Sequence, residues 1–407
     1  MPRHTREPGA DRPSRWLLTG RSRRAVIVGA PAAGVLVVVA VVVAFRSGGT
    51  PSGSVIRSAN AVSASAELPR TTSTSEAGSS PPRSTVSRPP TATATRATGT
   101  SPTTASRRPA VPTSLPPPRG GYFSLRPIGV WDSLPGDAAC SGQVHASTWE
   151  PRPDNRGPNN VKPDPAAVHR ALAARPVATG GSADPRWDSW LLQRVDGQFT
   201  GTTDEIFQWA ACKWGLPDDL LRAVAVREST WYQYESYRTG RPVLDWGMGD
   251  MMSAGTPGAG VYCRTLAQSG HDYQKDFGAN ICPKTFSIAG VMSWQAPSWG
   301  EMPGNQNGTF PFNRQSTAFA VDYLGSQLRG CYNGWEYWLK SSGHYTPGDI
   351  WGCVGAWYAG DWHSADADGY INRVRNELAK FTWLAADWPD VAPSCDATYG
   401  CPGPGRQ

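Results

Sequence analysis

GLPDDLLRAVAVRESTW, residues Gly215–Trp231, decides how the rest of this chain is read. Leu221, Val224 and Glu228 fall at i, i+3 and i+7, the spacing of one helix face. Pro217 opens this helix, and the carboxylate of Glu228 continues its apolar stripe near the far end. A carboxyl set among apolar groups has its charged form disfavoured, so it holds a proton closer to neutral pH and can serve as an acid. A surface glutamate at a helix end fits the same pattern. The surrounding sequence has to separate the two.

Helical signals flank this segment on both sides. Asp164 followed by Pro165 reads as a cap and first turn leading into AAVHRALAAR. Thr202 with Glu205 forms a capping-box pattern before IFQWAACKWG, and Gly215 is its stop. Downstream, STAFAVDYLGSQLRGCY (316–332) and DGYINRVRNELAKFTW (368–383) repeat apolar residues at helical spacing. Loops rich in Gly, Pro and Asn fill Leu244–Gly260 and Ala296–Asn313, and strand-like runs are scarce. The pattern predicts a mainly α domain whose long loops shape a groove.

The N-terminal third is different in kind. Residues 1–24 form a basic head with seven arginines, and residues 25–45 are 21 uncharged residues dominated by Val and Ala. That length suits a bilayer-spanning helix, and the arginines place the head in the cytoplasm and the remainder outside. The run is long for a cleaved signal and lacks a nearby small-x-small site, so a retained single-pass anchor in the cell membrane is expected. Ser22, Arg23 and Arg24 give only a weak match to a twin-arginine export signal.

Residues 46–120 hold no aromatic residue and no cysteine, so they cannot bury enough apolar surface to offset chain entropy. They read as a disordered Ser/Thr/Pro-rich linker with a reach of about 45 to 50 Å. Beyond Gly120 come 17 of the 18 tryptophans and all eight cysteines. This region divides into an N-terminal extension (121–201), a domain (202–388) and a tail (389–407). Residues 1–120 carry 16 Arg against 4 acids, which leaves the remainder at a net −6, unlike a nucleic-acid-binding surface.

An even cysteine count in an exported region points to disulfides, with 105 possible pairings. Proximity favours Cys263 with Cys282, Cys331 with Cys353, and Cys395 with Cys401.

RESTW (Arg227–Trp231), AGVMSWQ (Ala289–Gln295) and AWYAGDW (Ala356–Trp362) follow one another along the chain, with DADGYINRV closing the series. They resemble the Glu-Ser, Gly-Leu-Met-Gln and Ala-Tyr-Asn-Ala-Gly motifs and the final helix of the soluble lytic transglycosylase (SLT) family of lysozyme-like proteins. The resemblance spans Thr202–Trp383 and leaves 121–201 outside. It implies a lysozyme-like helical domain acting on the glycan strands of peptidoglycan in the cell wall, with neither metal nor cofactor. Most glycosidases use two carboxylates. The family uses one glutamate, first as acid and then as base, with help from the substrate's N-acetyl group. The 6-hydroxyl of N-acetylmuramic acid then closes a 1,6-anhydro end. Glu228 would carry both proton transfers, while Ser229, Met292, Ser293, Gln295, Trp357 and Tyr358 would contact the sugar.

The chain departs from the family at two motifs. Ser293 occupies the place of the motif's glutamine, and Gln295 reaches it only through a two-residue shift of register. Trp357 replaces the tyrosine that contacts the catalytic glutamate, and Tyr358 replaces the following asparagine. Tyr358 has a hydroxyl to offer, but adjacent helix residues point about 100° apart.

Other chemistries find less in the sequence. It contains no HExxH, no GxSxG and no Gly-rich loop followed by the lysine of a nucleotide site. A Cys/His peptidase would need Cys331 or Cys353 with His344 or His363, and disulfides account for those cysteines better. Asp245, Asp250 and Asp272 are the candidates for a second carboxylate, as in hydrolysing lysozymes. A catalytically idle wall-binding module is the alternative from another class. Trp294, Trp299, Trp357 and Trp362 offer flat faces to sugars or to a core, and for Trp131, Trp149, Trp187 and Trp190 packing is the expected role.

Overall fold

Several helix boundaries follow the capping chemistry of the sequence in the structure, a computed structural model. The described residues are 114–233, 251–269, 271–300 and 302–391. The proposed membrane span, the linker up to residue 113, Cys395, Cys401, Asp245 and Asp250 lie outside them. No helix among the described residues is long and apolar enough to cross a membrane.

Asp164 accepts a hydrogen bond from the Ala166 amide and starts α1 (Pro165–Ala173). α2 (Thr203–Trp214) opens with both bonds of the Thr202/Glu205 capping box and stops where Gly215 turns left-handed at φ 60°. Pro217 is the residue before α3 (Asp218–Ser229), which ends with Thr230 and Trp231 both at positive φ. α4 (Ala259–Gln268) was not foreseen; its first residues fall where a loop was expected. Ser316 caps α5 (Thr317–Tyr332), Asp349 caps α6 (Ile350–Ala359), and Ser364 caps α7 (Ala365–Lys380). The mainly helical expectation holds. The named strands among the described residues are β1 (Thr285–Phe286) and β2 (Val291–Met292), paired antiparallel.

α2 is buried on almost every side and packs against α5 and α3; α3 in turn packs against α7, and α6 lies against both α5 and α7. The single apolar stripe expected of α3 understates its environment, because every residue from Asp218 to Val226 is buried. Such burial requires its charges to be answered locally. Arg222, with no exposed surface, donates to Asp204 at 2.8 Å and to Asp218 and Asp219 at 2.7 Å each. Burial alone would lower the Arg222 pKa, and these three carboxylates raise it instead. A smaller second core gathers Met252, Tyr262, Leu266, Tyr273, Phe286, Trp294 and Phe310 around α4 and the hairpin.

Residues 121–201 belong to the same packed body. Trp187 is in the core, Trp149 meets Trp231 edge-on at 5.9 Å, and Trp131 and Trp190 meet Trp335 at 5.7 and 5.8 Å. Arg152 donates to the Thr230 carbonyl at 2.9 Å and to the Trp388 carbonyl at 2.7 Å, which fixes the turn that follows α3. Asp218 accepts from the amides of Tyr122 and Phe123 at 3.0 Å.

Three disulfides brace this body. Cys263–Cys282 and Cys331–Cys353 are the pairs proximity suggested; Cys140–Cys212, 72 residues apart in sequence, joins the extension to α2. Closing that long loop restricts the unfolded chain more than the two short loops do. Cys331 and Cys353 are thus removed from nucleophilic chemistry.

His363 bridges two helices, with Nε2 2.9 Å from Asp349 at the start of α6 and Nδ1 2.7 Å from Asp368 in the first turn of α7. The hydrogen bond to Asp349, supported by the one to Asp368, raises the His363 pKa above 6.5. The resulting stabilisation is fully present below pH 6.5 and is lost as pH rises through the raised folded-state value. Thermal unfolding of the wild type between pH 6 and 9 should therefore show a fall in midpoint that His363→Gln does not share. Parallel curves for the two proteins would rule this out.

Candidate active site

Glu228 lies in the last turn of α3, half-buried, where two segments distant in sequence meet it. From α7, Tyr370 donates its hydroxyl to Glu228 Oε1. From the turn between β1 and β2, Gly290 lies against Oε2 so closely that a Cβ at that position would overlap the carboxylate oxygen. The backbone of Gly290 is left-handed at φ 65°, so an L side chain is disfavoured there on both counts.

The hairpin is fastened to the end of α3. Ser229 Oγ donates to the Ile288 carbonyl at 3.0 Å, and Gln233 Oε1 accepts from the Ile288 amide at 3.2 Å. Gln233 also donates to the Asn313 carbonyl at 2.7 Å, and its own amide donates to Asn155 Oδ1 at 2.9 Å. These bonds hold the hairpin turn, and Gly290 within it, beside the end of α3. Gly290→Ala is expected to destabilise the protein by about 1 to 2 kcal/mol from the backbone conformation alone. Thermal unfolding measures this, and a wild-type midpoint would show that the left-handed backbone at Gly290 carries no cost for a side chain.

The sequence candidates are distributed unevenly around this carboxyl. Ser229 is buried and its side chain holds the hairpin. Met292 is half-buried; its carbonyl accepts from Asn307 Nδ2 and Thr309 Oγ1, each at 2.7 Å. Ser293 is fully buried and accepts from Asn313 Nδ2 at 2.7 Å. Gln295 is also fully buried, and neither polar atom of its side-chain amide has a hydrogen-bond partner among the described residues. Trp294 is buried beside the half-exposed Trp299, with ring centroids 6.2 Å apart. Trp357 and Tyr358 are half-buried on α6, whereas Trp362 is buried beneath Gly352. Tyr358 meets the site through Tyr370, on which its ring stacks. Asp272, near the start of the short helix Tyr273–Phe277, pairs with Lys275 at 3.7 Å.

Tyr370 is the site residue that motif comparison passed over. A signal was present: with tryptophan in the third motif at the tyrosine's place, a hydroxyl had to come from elsewhere, and Tyr370 stands in the quoted DADGYINRV segment. No group of three or more His, Cys, Asp or Glu side chains among the described residues is arranged to hold a metal ion. A carboxyl with a phenol donating to one oxygen and the Gly290 backbone close to the other suits proton transfer to and from an uncharged oxygen.

No family model, curated protein or solved structure matches this chain.

Proposed function

We propose that this protein is a peptidoglycan lytic transglycosylase with a lysozyme-like domain and Glu228 as its single acid and base. The observation that carries the reading is the convergence on one carboxyl of the three segments resembling the SLT family's helix, hairpin and final-helix motifs. Tyr370 from the last segment and Gly290 from the second both contact Glu228, 142 and 62 positions away in the chain.

In this mechanism Glu228 donates its proton to the glycosidic oxygen between N-acetylmuramic acid and N-acetylglucosamine while the bond to the anomeric carbon breaks. The oxocarbenium-like charge is met by the substrate's own N-acetyl oxygen, so no second carboxylate is required of the protein. Glu228, now ionised, accepts the proton of the muramic acid 6-hydroxyl as that oxygen attacks the anomeric carbon, and the 1,6-anhydro ring closes. Tyr370 holds the carboxyl plane through both steps, and its donated hydrogen bond supports the ionised form between them. Ser229, Ser293 and Asn313 act here by fixing the hairpin. Sugar contacts fall to Met292 and Trp357.

The location follows the same reading. Residues 25–45 anchor the chain in the cell membrane, residues 46–120 span part of the wall, and the disulfide-braced domain works outside. Its partner is the glycan strand.

Mass spectrometry of the fragments released when the full-length protein, in detergent, digests purified peptidoglycan tests this proposal. Anhydro ends, one water lighter than reducing ends, are the expected product. Hydrated reducing ends identify a lysozyme-type hydrolase instead, and binding without release identifies a wall-binding module.

A further inference from the structure

Tyr358 and Tyr370 lie face to face, their ring centroids 4.6 Å apart and their planes 1° from parallel. They come from different helices, and the contact between those helices is tight because Gly355 of α6 leaves no space between its backbone and the side chains of Ala367 and Ile371 on α7. One turn along from Gly355 and Ala367 stand Tyr358 and Tyr370. The exposed Arg373 then completes the arrangement, its guanidinium 5.5 Å from the Tyr358 ring and 5.7 Å from the Tyr370 ring. A carboxyl, a phenol, a second phenol and a cation thus form one connected series from Glu228 to the surface.

A tyrosine ring has two torsions, and a hydroxyl at its far end moves by ångströms when either changes. Parallel stacking against a second ring restricts both, and the Arg373 guanidinium, 5.5 and 5.7 Å from the two ring centroids, borders the stacked pair. We propose that Tyr358 is a positioning residue that acts through Tyr370, with Arg373 clamping the pair, to keep the Tyr370 hydroxyl on Glu228 Oε1. This role rests on the reading of Glu228 as the acid and base. It differs from direct contact of Tyr358 with sugar, and it gives a function to the aromatic residue that stands where the resembling family has asparagine.

The consequence is a change in the acid rather than in substrate affinity. If the phenol is no longer held, the ionised carboxylate loses part of a donated hydrogen bond, and the protonated form gains. Tyr358→Leu should lower kcat about tenfold, the factor equivalent to the worth of one aromatic pair, with KM unchanged. Tyr358→Phe, which retains the ring, should recover most of that loss.

The deciding measurement does not depend on turnover. In full-length protein in detergent, with glutamate labelled at the side-chain carboxyl by carbon-13, the Glu228 resonance is assigned by its absence in Glu228→Gln and titrated with pH. Tyr370→Phe and Tyr358→Leu should move its midpoint upward, the combined variant should add little to Tyr370→Phe alone, and Arg373→Gln should move it the same way by less. An unmoved midpoint in Tyr358→Leu, or a rise in KM with kcat unchanged, overturns the positioning role. Should Tyr358→Leu not fold, Arg373→Gln, altered only at the surface, carries the same test. A wild type that releases no anhydro fragments removes the proposed activity, whereas the titration still tests the linkage of Tyr358 to Glu228.

Discussion

Glu228→Gln is expected to slow glycan cleavage by about 100- to 10,000-fold, the usual contribution of a positioned general acid and base. The substitution changes little else. Glutamine occupies the same volume, and its amide oxygen still accepts the Tyr370 hydroxyl bond that Oε1 accepts in the wild type. What it lacks, in the proposed mechanism, is a proton to give to the departing oxygen and a basic oxygen to take one from the muramic acid hydroxyl. The unfolding midpoint should consequently stay near that of the wild type, so the lost rate cannot be traced to lost structure. Peptidoglycan binding should persist, since the groups proposed to contact sugar are intact. Muropeptide release by the purified variant at matched concentration is the measurement. A rate within threefold of wild type would remove Glu228 from the chemistry and with it the proposed mechanism.

Arg222→Ala has the largest effect expected on stability. The guanidinium is fully buried and supplies the counter-charge for Asp204, Asp218 and Asp219, all of them buried. Its removal leaves three carboxylates in the interior with no cation, and breaking even one such pair costs about 3 to 5 kcal/mol. That is a large part of the roughly 5 to 15 kcal/mol that holds an ordinary domain together. The damage should spread, because Asp218 also anchors the extension through the Tyr122 and Phe123 amides. Denaturant unfolding should show the loss directly. Acid should relieve it in part: carboxyls without a counter-ion have raised folded-state pKa values, so the variant regains stability relative to wild type as pH falls through them. A variant as stable as wild type at pH 8 would show that the cluster does not hold α3 in place.

The two variants bear on different parts of one helix, and the contrast between its ends explains what could be read in advance. The stop at Gly215, the capping box at Thr202 and Glu205, and the Asp164 cap were legible because each joins atoms within four residues of one another. The mainly helical class follows from the same short-range pattern. The long uncharged run and the linker composition are likewise properties of sequence alone, although they lie outside the described residues. α4 was hidden because it lacks a side-chain cap, with Gly258 at its start and a Gly- and Pro-rich approach that looks like loop.

Identification of Glu228 as the residue to watch came from a motif, yet its partners did not. Tyr370 is 142 positions away, and Cys140 is joined to Cys212 across 72. Arg222, a charge in the middle of α3, is fully buried. In the second motif, Ser293 and Gln295 look alike in sequence as polar groups for a sugar, and both turn inward. Sequence by itself determined where the capped helices begin and which carboxyl has a motif around it, because caps, turns and periodicity are set by atoms a few bonds apart. Tertiary structure alone decided what surrounds that carboxyl. Which hydroxyl reaches it, which glycine crowds it and which charges are buried beneath it depend on packing between segments that the chain separates widely, and no local spacing encodes those distances.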